Sequence, residues 1–238
     1  MSFRYVLAVA AMVAAFFANG VSAGPGLEQT IQMLEDEWAE VFYRLPEKQQ
    51  VERYKSLLTR LQDLKKEYPA RAEPLVLEAI ILCTYAAADW GISSLTRTKE
   101  ARALLVKSID FDPKAMNASA FITLGNLYYR LPGWPISYGD KHLAREYLEA
   151  AVRLYPDALG ANYFLGDFWL HEGDPDKALK YFEKADKAPI RPSQRLSDSK
   201  IKEQLAVALN AARQRVETHT DFFSSLLPSF RGKRERPH

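Results

Sequence analysis

Apolar residues recur every three or four positions along most of the chain, in stripes such as Tyr54, Leu57, Leu58, Leu61 and Leu64, or Ile201, Leu205, Leu209, Ala212 and Val216. That spacing places them on one face of an α-helix, and the lack of sustained two-residue alternation argues against a strand-built core. Prolines at 46, 69, 74, 113, 132, 135, 156, 175, 189, 192 and 228 punctuate the stripes. Proline has no amide hydrogen and clashes one turn back, so it belongs at the joints between helices. The pattern predicts helices over 27–44, 48–67, 72–89, 97–110, 116–131, 141–154, 159–172, 176–187 and 195–217. The expected fold is all-α. Asp140 after Gly139 and Asp174 before Pro175 offer acceptors to the free amides of a first helical turn, and Gly173 suits a left-handed helix end. These carboxylates read as caps rather than catalytic acids.

The first 23 residues follow another rule. Arg4 precedes thirteen nearly unbroken apolar residues, Val6 to Ala18, and the small-residue sequence Val21-Ser22-Ala23. This is the layout of a secretory signal peptide cleaved after Ala23. Thirteen helical residues span only about 20 Å of the ~30 Å hydrocarbon core, so a permanent membrane span is not expected. The mature chain is expected in the periplasm or outside the cell, with residues 24–217 forming one helical domain and 218–238 a basic tail. Within that tail Arg231, Lys233, Arg234 and Arg236 face one acid, Glu235.

Composition narrows the chemistry. With 32 Lys and Arg against 30 Asp and Glu, the chain has no broad basic field, and nucleic acid is not an expected partner. One cysteine and four histidines cannot build a cysteine-rich metal centre or an internal disulfide. Cys83 lies in the apolar run from Leu75 to Ala88 and reads as a small buried hydrophobe. The histidines at 142, 171, 219 and 238 are scattered, no Gly-x-Ser-x-Gly elbow occurs, and no glycine loop cradles a phosphate. Neither catalysis, a metal nor a cofactor is expected.

Self-similarity gives the architecture. Leu165-Gly166, Trp169, Gly173, Ala178, Phe182 and Ala185 fall at the intervals of the 34-residue tetratricopeptide repeat, over 159–192. Leu124-Gly125, Tyr128, Ala144, Leu148, Ala151 and Pro156 give the same series over 118–158, with seven extra residues between the helices. A weaker unit runs through Ile81, Tyr85, Ala101, Leu105, Ser108 and Pro113, and the most degenerate covers 27–71. Mid-helix glycine costs about 1 kcal/mol relative to alanine, so Gly125 and Gly166 require a reason, and close approach of a partner helix supplies one. The chain resembles tetratricopeptide-repeat proteins. That resemblance implies a right-handed stack of about four helical hairpins, capped by the helix at 195–217. It also implies a non-catalytic adaptor that binds a protein or peptide on the concave face.

In such arrays the first helix of each pair lines the groove. Counting from Ala118 and Leu159, the resemblance points Ile122, Asn126 and Tyr129, then Tyr163, Asp167 and Leu170, into it, with Arg130 alongside. An amide, phenols, a guanidinium and a carboxylate could grip a peptide, or Asn126 and Asp167 could serve neighbouring helix ends and turns. In the loop Leu131-Pro-Gly-Trp-Pro-Ile-Ser-Tyr138 two prolines restrict the backbone around Trp134. Trp134 either covers the groove mouth or, with Tyr138, plugs the core that the insertion opens.

A narrower resemblance rests on Gly-Asn-x-Tyr-Tyr-Arg-x-Pro-Gly-Trp-Pro at Gly125 to Pro135 and Asn162-Tyr163-Phe164-x-Gly166-Asp167. This looks like the T-component proteins of periplasmic TRAP transport systems, although a lipoprotein cysteine beside the cleavage site is lacking. It implies an accessory that meets a periplasmic solute-binding protein, forms homo-oligomers around a ligand path, and contacts a small polar ligand through Asn126, Tyr129, Trp134, Asn162 and Asp167.

Overall fold

A computed structural model of the chain describes residues 26–89 and 91–215. The expected signal segment 1–23 and the basic tail 218–238 lie outside the described residues. The helices are α1 (Leu27–Arg44), α2 (Glu47–Glu67), α3 (Glu73–Ala88), α4 (Ile92–Phe111), α5 (Ala115–Arg130), α6 (Lys141–Leu154), α7 (Leu159–His171), α8 (Pro175–Lys187) and α9 (Arg195–Gln214), with a short 3₁₀ turn at Pro192–Gln194. No strand occurs among the described residues. The fold is all-α: α1/α2, α3/α4, α5/α6 and α7/α8 pack as hairpins, and α9 closes against α7 and α8.

The helices sort into two layers. Each odd-numbered helix also packs on the next odd-numbered one, so α1, α3, α5, α7 and α9 form an inner wall with α2, α4, α6 and α8 outside it. Sequence pattern explains the division. In α3 twelve of sixteen residues are buried, and in α7 ten of thirteen, whereas α6 buries only Ala144, Leu148 and Ala151 and α8 only Ala178, Phe182 and Ala185. A helix apolar on every side must be covered on every side, while a single stripe needs only one neighbour. On α3, Leu77, Ile81 and Tyr85 pack with α1 and α2, while Val76, Ala79, Leu82 and Cys83 face the following repeats.

The repeat glycines sit where the hairpins pinch. A Cβ on Gly125 would lie 2.6 Å from Leu148 Cγ, and one on Gly166 would lie 2.5 Å from Phe182 Cδ1. The caps fall as expected: Asp140 accepts from the amides of His142 and Leu143, Asp174 accepts from Lys177, and Gly173 has φ +79°. Two boundaries differ from the pattern. Helix α4 begins at Ile92 rather than 97, because Ser94 Oγ accepts from the Gly91 amide at 3.0 Å and donates to the Asp89 carbonyl. At the other, Met116, Asn117 and Ala118 all have φ between 48° and 58°, so the regular right-handed part of α5 begins at Ser119. The left-handed region disfavours side chains with a Cβ, with asparagine among the exceptions. Among the described residues no helix is long and apolar enough to cross a membrane.

Candidate functional site

The inner wall curls far enough that its ends meet. Helix α1 packs against α9, and the seam is polar. Gln32 Nε2 donates to the Ser193 carbonyl at 2.5 Å, Gln194 Nε2 donates to Glu35, and Tyr43 shares a side-chain hydrogen bond with Ser197. Just behind it Asp198, fully buried, accepts from the Arg191 amide at 2.8 Å and from its Nε and Nη2 at 3.0 and 2.6 Å. The carboxylate thus fixes the turn that carries α9 onto α1.

This closure turns the concave face into a cavity of about 150 Å³. All five inner helices contribute walls: Trp38 and Phe42 from α1, Ile80 and Cys83 from α3, Ile122 and Asn126 from α5, Phe164 from α7 and Ile201 from α9. The lining is mainly apolar. Glu35, Arg191 and Gln194 stand at its polar side. Trp38 stacks on Phe42 at 5.6 Å and donates through its indole nitrogen to Thr84 Oγ1 at 3.2 Å, so one aromatic wall is rigidly set. A charged trough of about 830 Å³ adjoins the cavity, sharing Glu35, Tyr43, Gln194 and Ser197 with it and adding Asp36, Glu37, Glu40 and Glu203 along with Arg44, Arg195 and Lys200.

Burial governs the ionisable groups here. It raises the Glu35 pKa, a rise that the Gln194 hydrogen bond only partly opposes. Burial pushes the Cys83 thiol up to about 12, which leaves it a packed hydrophobe at neutral pH rather than a nucleophile.

The residues expected to bind are not all brought together. Asn126 lies in the cavity wall, buried, with Nδ2 donating to the Ile122 carbonyl at 2.9 Å. Tyr129, Arg130 and Asp167 meet instead at the carboxyl ends of α5 and α7, outside the cavity lining. Arg130 pairs with the buried Asp167 at 2.8 Å, and Tyr129 donates to Glu172 at 3.1 Å, which also pairs with Lys141 at 2.7 Å. His171 belongs to the same cluster, its Nδ1 lying 2.8 Å from the Asp167 carbonyl oxygen. Burial alone would lower the His171 pKa, but the Asp167 carboxylate outweighs it and holds the value above the ordinary one. Tyr163 is fully buried in the core of α7. Asn162 donates to the carbonyls of Pro156 and Ala158 at 2.8 and 2.9 Å, tying the turn before α7 to that helix.

Trp134 is 89% exposed and absent from the cavity walls, so it neither covers the groove nor plugs the core. Tyr138 does the plugging. Its ring meets Tyr128 edge-on at 5.6 Å and its hydroxyl donates to the Thr98 carbonyl at 2.7 Å. The loop between them is fixed by the Gly139 amide on the Pro132 carbonyl and the Asp140 amide on the Tyr128 carbonyl.

Sequence reasoning did not place Trp38, Phe42, Glu35 or Ile201 at a site. The i, i+4 aromatic pair on α1 was visible, but its position across from α9 depends on contacts spanning about 160 residues and has no local signature.

Comparison with known proteins bears on the outer as well as the inner layer. The family model described as Tetratricopeptide repeat matches residues 139–193, which contain α6, α7 and α8. No curated protein matches the chain. Such repeats are interaction scaffolds for protein partners and are generally non-catalytic. This segment, with its helix pair pinched at Gly166, is therefore similar to a tetratricopeptide repeat.

Proposed function

We propose that the protein is a non-catalytic exported adaptor, working in the periplasm or outside the cell, that takes apolar side chains of a partner protein or peptide into the concave cavity. The observation that carries this reading is the apolar lining joined to a small volume of about 150 Å³. Pockets for drug-sized ligands run to roughly 300–1,000 Å³, whereas this space suits one or two side chains. Asn126, its amide still able to accept or donate beside Ile122, orients the incoming chain. Tyr129, Arg130 and Asp167 sit on the neighbouring rim and meet the flanking residues of the partner. The apolar anchor supplies affinity by leaving water, and the polar rim supplies register.

The test compares capture from an envelope extract by the wild-type chain and by Ile122→Glu, which places a charge in the cavity wall. Recovery of the specific partner should fall about tenfold or more, as expected when an anchor pocket worth ~1.4 kcal/mol or more is lost, with the helical melt little changed. Unchanged recovery would overturn the cavity assignment. Asp167 is a poorer probe, because its removal breaks its own buried ion pair with Arg130. The transport-accessory reading keeps one specific support, the enclosure of the cavity by α1 on α9. Capture of a solute-binding protein, lost equally in Ile122→Glu, would favour it.

A further inference from the structure

Helix α1 grades the cavity wall from charged to apolar. Glu35, Trp38 and Phe42 stand at i, i+3 and i+7 and all line the cavity, so a carboxylate, an indole and a phenyl ring follow one another along one helical face. At ~1.5 Å per residue the carboxylate stands about 4.5 Å along the axis from the indole and about 10 Å from the phenyl ring. The other charged group of the lining, Arg191, is spent on Asp198, which takes its Nε, its Nη2 and its amide. In the adjoining trough Arg44 pairs with Glu40, Lys200 pairs with Glu203, and Glu37 takes both Arg53 and Arg60. Asp36 accepts from Gln32, and Arg195 is exposed in the trough, outside the cavity lining. Glu35 differs from all of these. Its Oε1 accepts from the neutral Gln194 amide, and among the described residues it has no ion-pair partner and Oε2 has no hydrogen-bond donor. The cavity thus holds a half-buried carboxylate whose charge nothing beside it matches.

We propose that the side chain a partner protein inserts into the cavity is a lysine, with its ammonium on Glu35 Oε2 and its aliphatic stem laid along Trp38 towards Phe42. This deepens, and rests on, the reading of the cavity as a partner-binding site. Charge complementarity selects the occupant. A carboxylate and an ammonium are each costly to desolvate alone, and each removes that cost for the other when they meet. The ordinary lysine pattern of an apolar stem below a charged head matches the order of groups on α1. The aromatic rings add to the fit, since a cation within about 6 Å of an indole face is attracted by its quadrupole. Lysine suits the carboxylate better than arginine does. A guanidinium engages both carboxylate oxygens as a fork, and here Gln194 already holds Oε1, whereas an ammonium is a point charge that needs only Oε2. An apolar side chain of equal length would fill the cavity of about 150 Å³ but leave Glu35 unmatched, and an acidic one would meet like charge, so the carboxylate discriminates among partners.

The experiment titrates the full chain calorimetrically with pentylammonium, pentanol and pentanoate, and with a short glycine peptide carrying one central lysine or, in its place, norleucine. Pentylammonium should bind about tenfold more tightly than pentanol, and the lysyl peptide about tenfold more tightly than the norleucyl one, as expected for a close charge pair. Both margins should vanish in Glu35→Gln and persist in Glu37→Gln, whose carboxylate lies outside the cavity lining; circular dichroism verifies that both variants are folded. Cys83, the sole cysteine and part of the cavity wall, locates the site: at about pH 8.5 some thiolate forms while an alkylammonium stays charged, and bound pentylammonium should slow its modification by methyl methanethiosulfonate. Binding that leaves Cys83 unprotected would place the probe elsewhere and overturn the proposal. Equal binding of pentylammonium and pentanol, both protecting Cys83, would overturn the lysine anchor and leave the apolar cavity of the adaptor standing. Tighter binding of pentanoate would assign recognition to Arg191 and overturn it as well. Protection by pentylammonium but not by the lysyl peptide would make the occupant a free amine rather than a protein side chain, which overturns it too. Failure of every probe to bind would remove both the lysine anchor and the adaptor cavity.

Discussion

The hairpin interiors and the α1–α9 seam are held by opposite means. Inside α5/α6 and α7/α8 the contacts are chiefly steric: a glycine on the inner helix admits Leu148 or Phe182 from the outer one. At the seam the contacts are the hydrogen bonds that Gln32 and Gln194 donate and the one that Tyr43 shares with Ser197, backed by the Arg191–Asp198 pair. Steric fit is specified by residues about sixteen to twenty-three apart, and it recurs wherever the motif recurs. The seam occurs once, and its partners stand about 160 residues apart. Repetition therefore builds the wall, and a handful of unrepeated polar groups close it.

The largest expected effect breaks the seam. Asp198→Ala leaves the Arg191 amide without its acceptor and frees the guanidinium, which is one-third exposed and can turn partly to water. A loss of about 2 kcal/mol follows. Amide exchange should quicken in α1 and α9 while α5 to α8 keep their protection; uniform quickening would show that the seam and the hairpins are one unit.

Next, Gly166→Ala separates fit from propensity by sign. Alanine gains about 1 kcal/mol of helix propensity, but driving a Cβ into the Phe182 ring costs about 1–3 kcal/mol, so the melting temperature should fall. Gly125→Ala should cost less, because an aliphatic side chain moves aside more readily than a ring. A stabilised Gly166→Ala protein would mean that the hairpin is not pinched there.

Smaller still is the electrostatic cost at the seam. Burial raises the Glu35 pKa, so the folded protein holds that proton more tightly than the unfolded chain. Its stabilising contribution is present in full below the unfolded value near 4.5 and disappears as pH rises through the folded value, leaving ionised Glu35 a burden at neutral pH. Glu35→Gln should raise the melting temperature slightly at about pH 7 and not at about pH 4. The smallest effect belongs to Trp134→Ala. A side chain this exposed contributes within about 0.5 kcal/mol, so a large loss would reveal packing that the loop does not show.

Much of the wall was legible in the sequence because its causes are local. Helical stripes, the caps at Asp140 and Asp174, the left-handed Gly173 and the mid-helix glycines each act within one hairpin. The candidate site was less legible. Repeat positions alone put Asn126 and Asp167 on the same footing, yet Asn126 faces the cavity while Asp167 is engaged by Arg130. Which one reaches the cavity depends on where a neighbouring helix ends, and the Arg130–Asp167 pair joins two helices whose relative height no periodicity specifies. The left-handed turn at Met116 to Ala118 was hidden for a similar reason, since neither methionine nor alanine advertises that conformation.

Closure also makes the fold count. An open solenoid tolerates gain or loss of a unit, since each hairpin answers only to its neighbours and the ends are free. With α1 resting on α9, a fifth hairpin would push Glu35 and Gln194 apart and a missing one would drive them past each other. Duplication, the ordinary route by which repeat arrays lengthen, is thereby closed to this one, and its repeat number is set by the circumference of the ring.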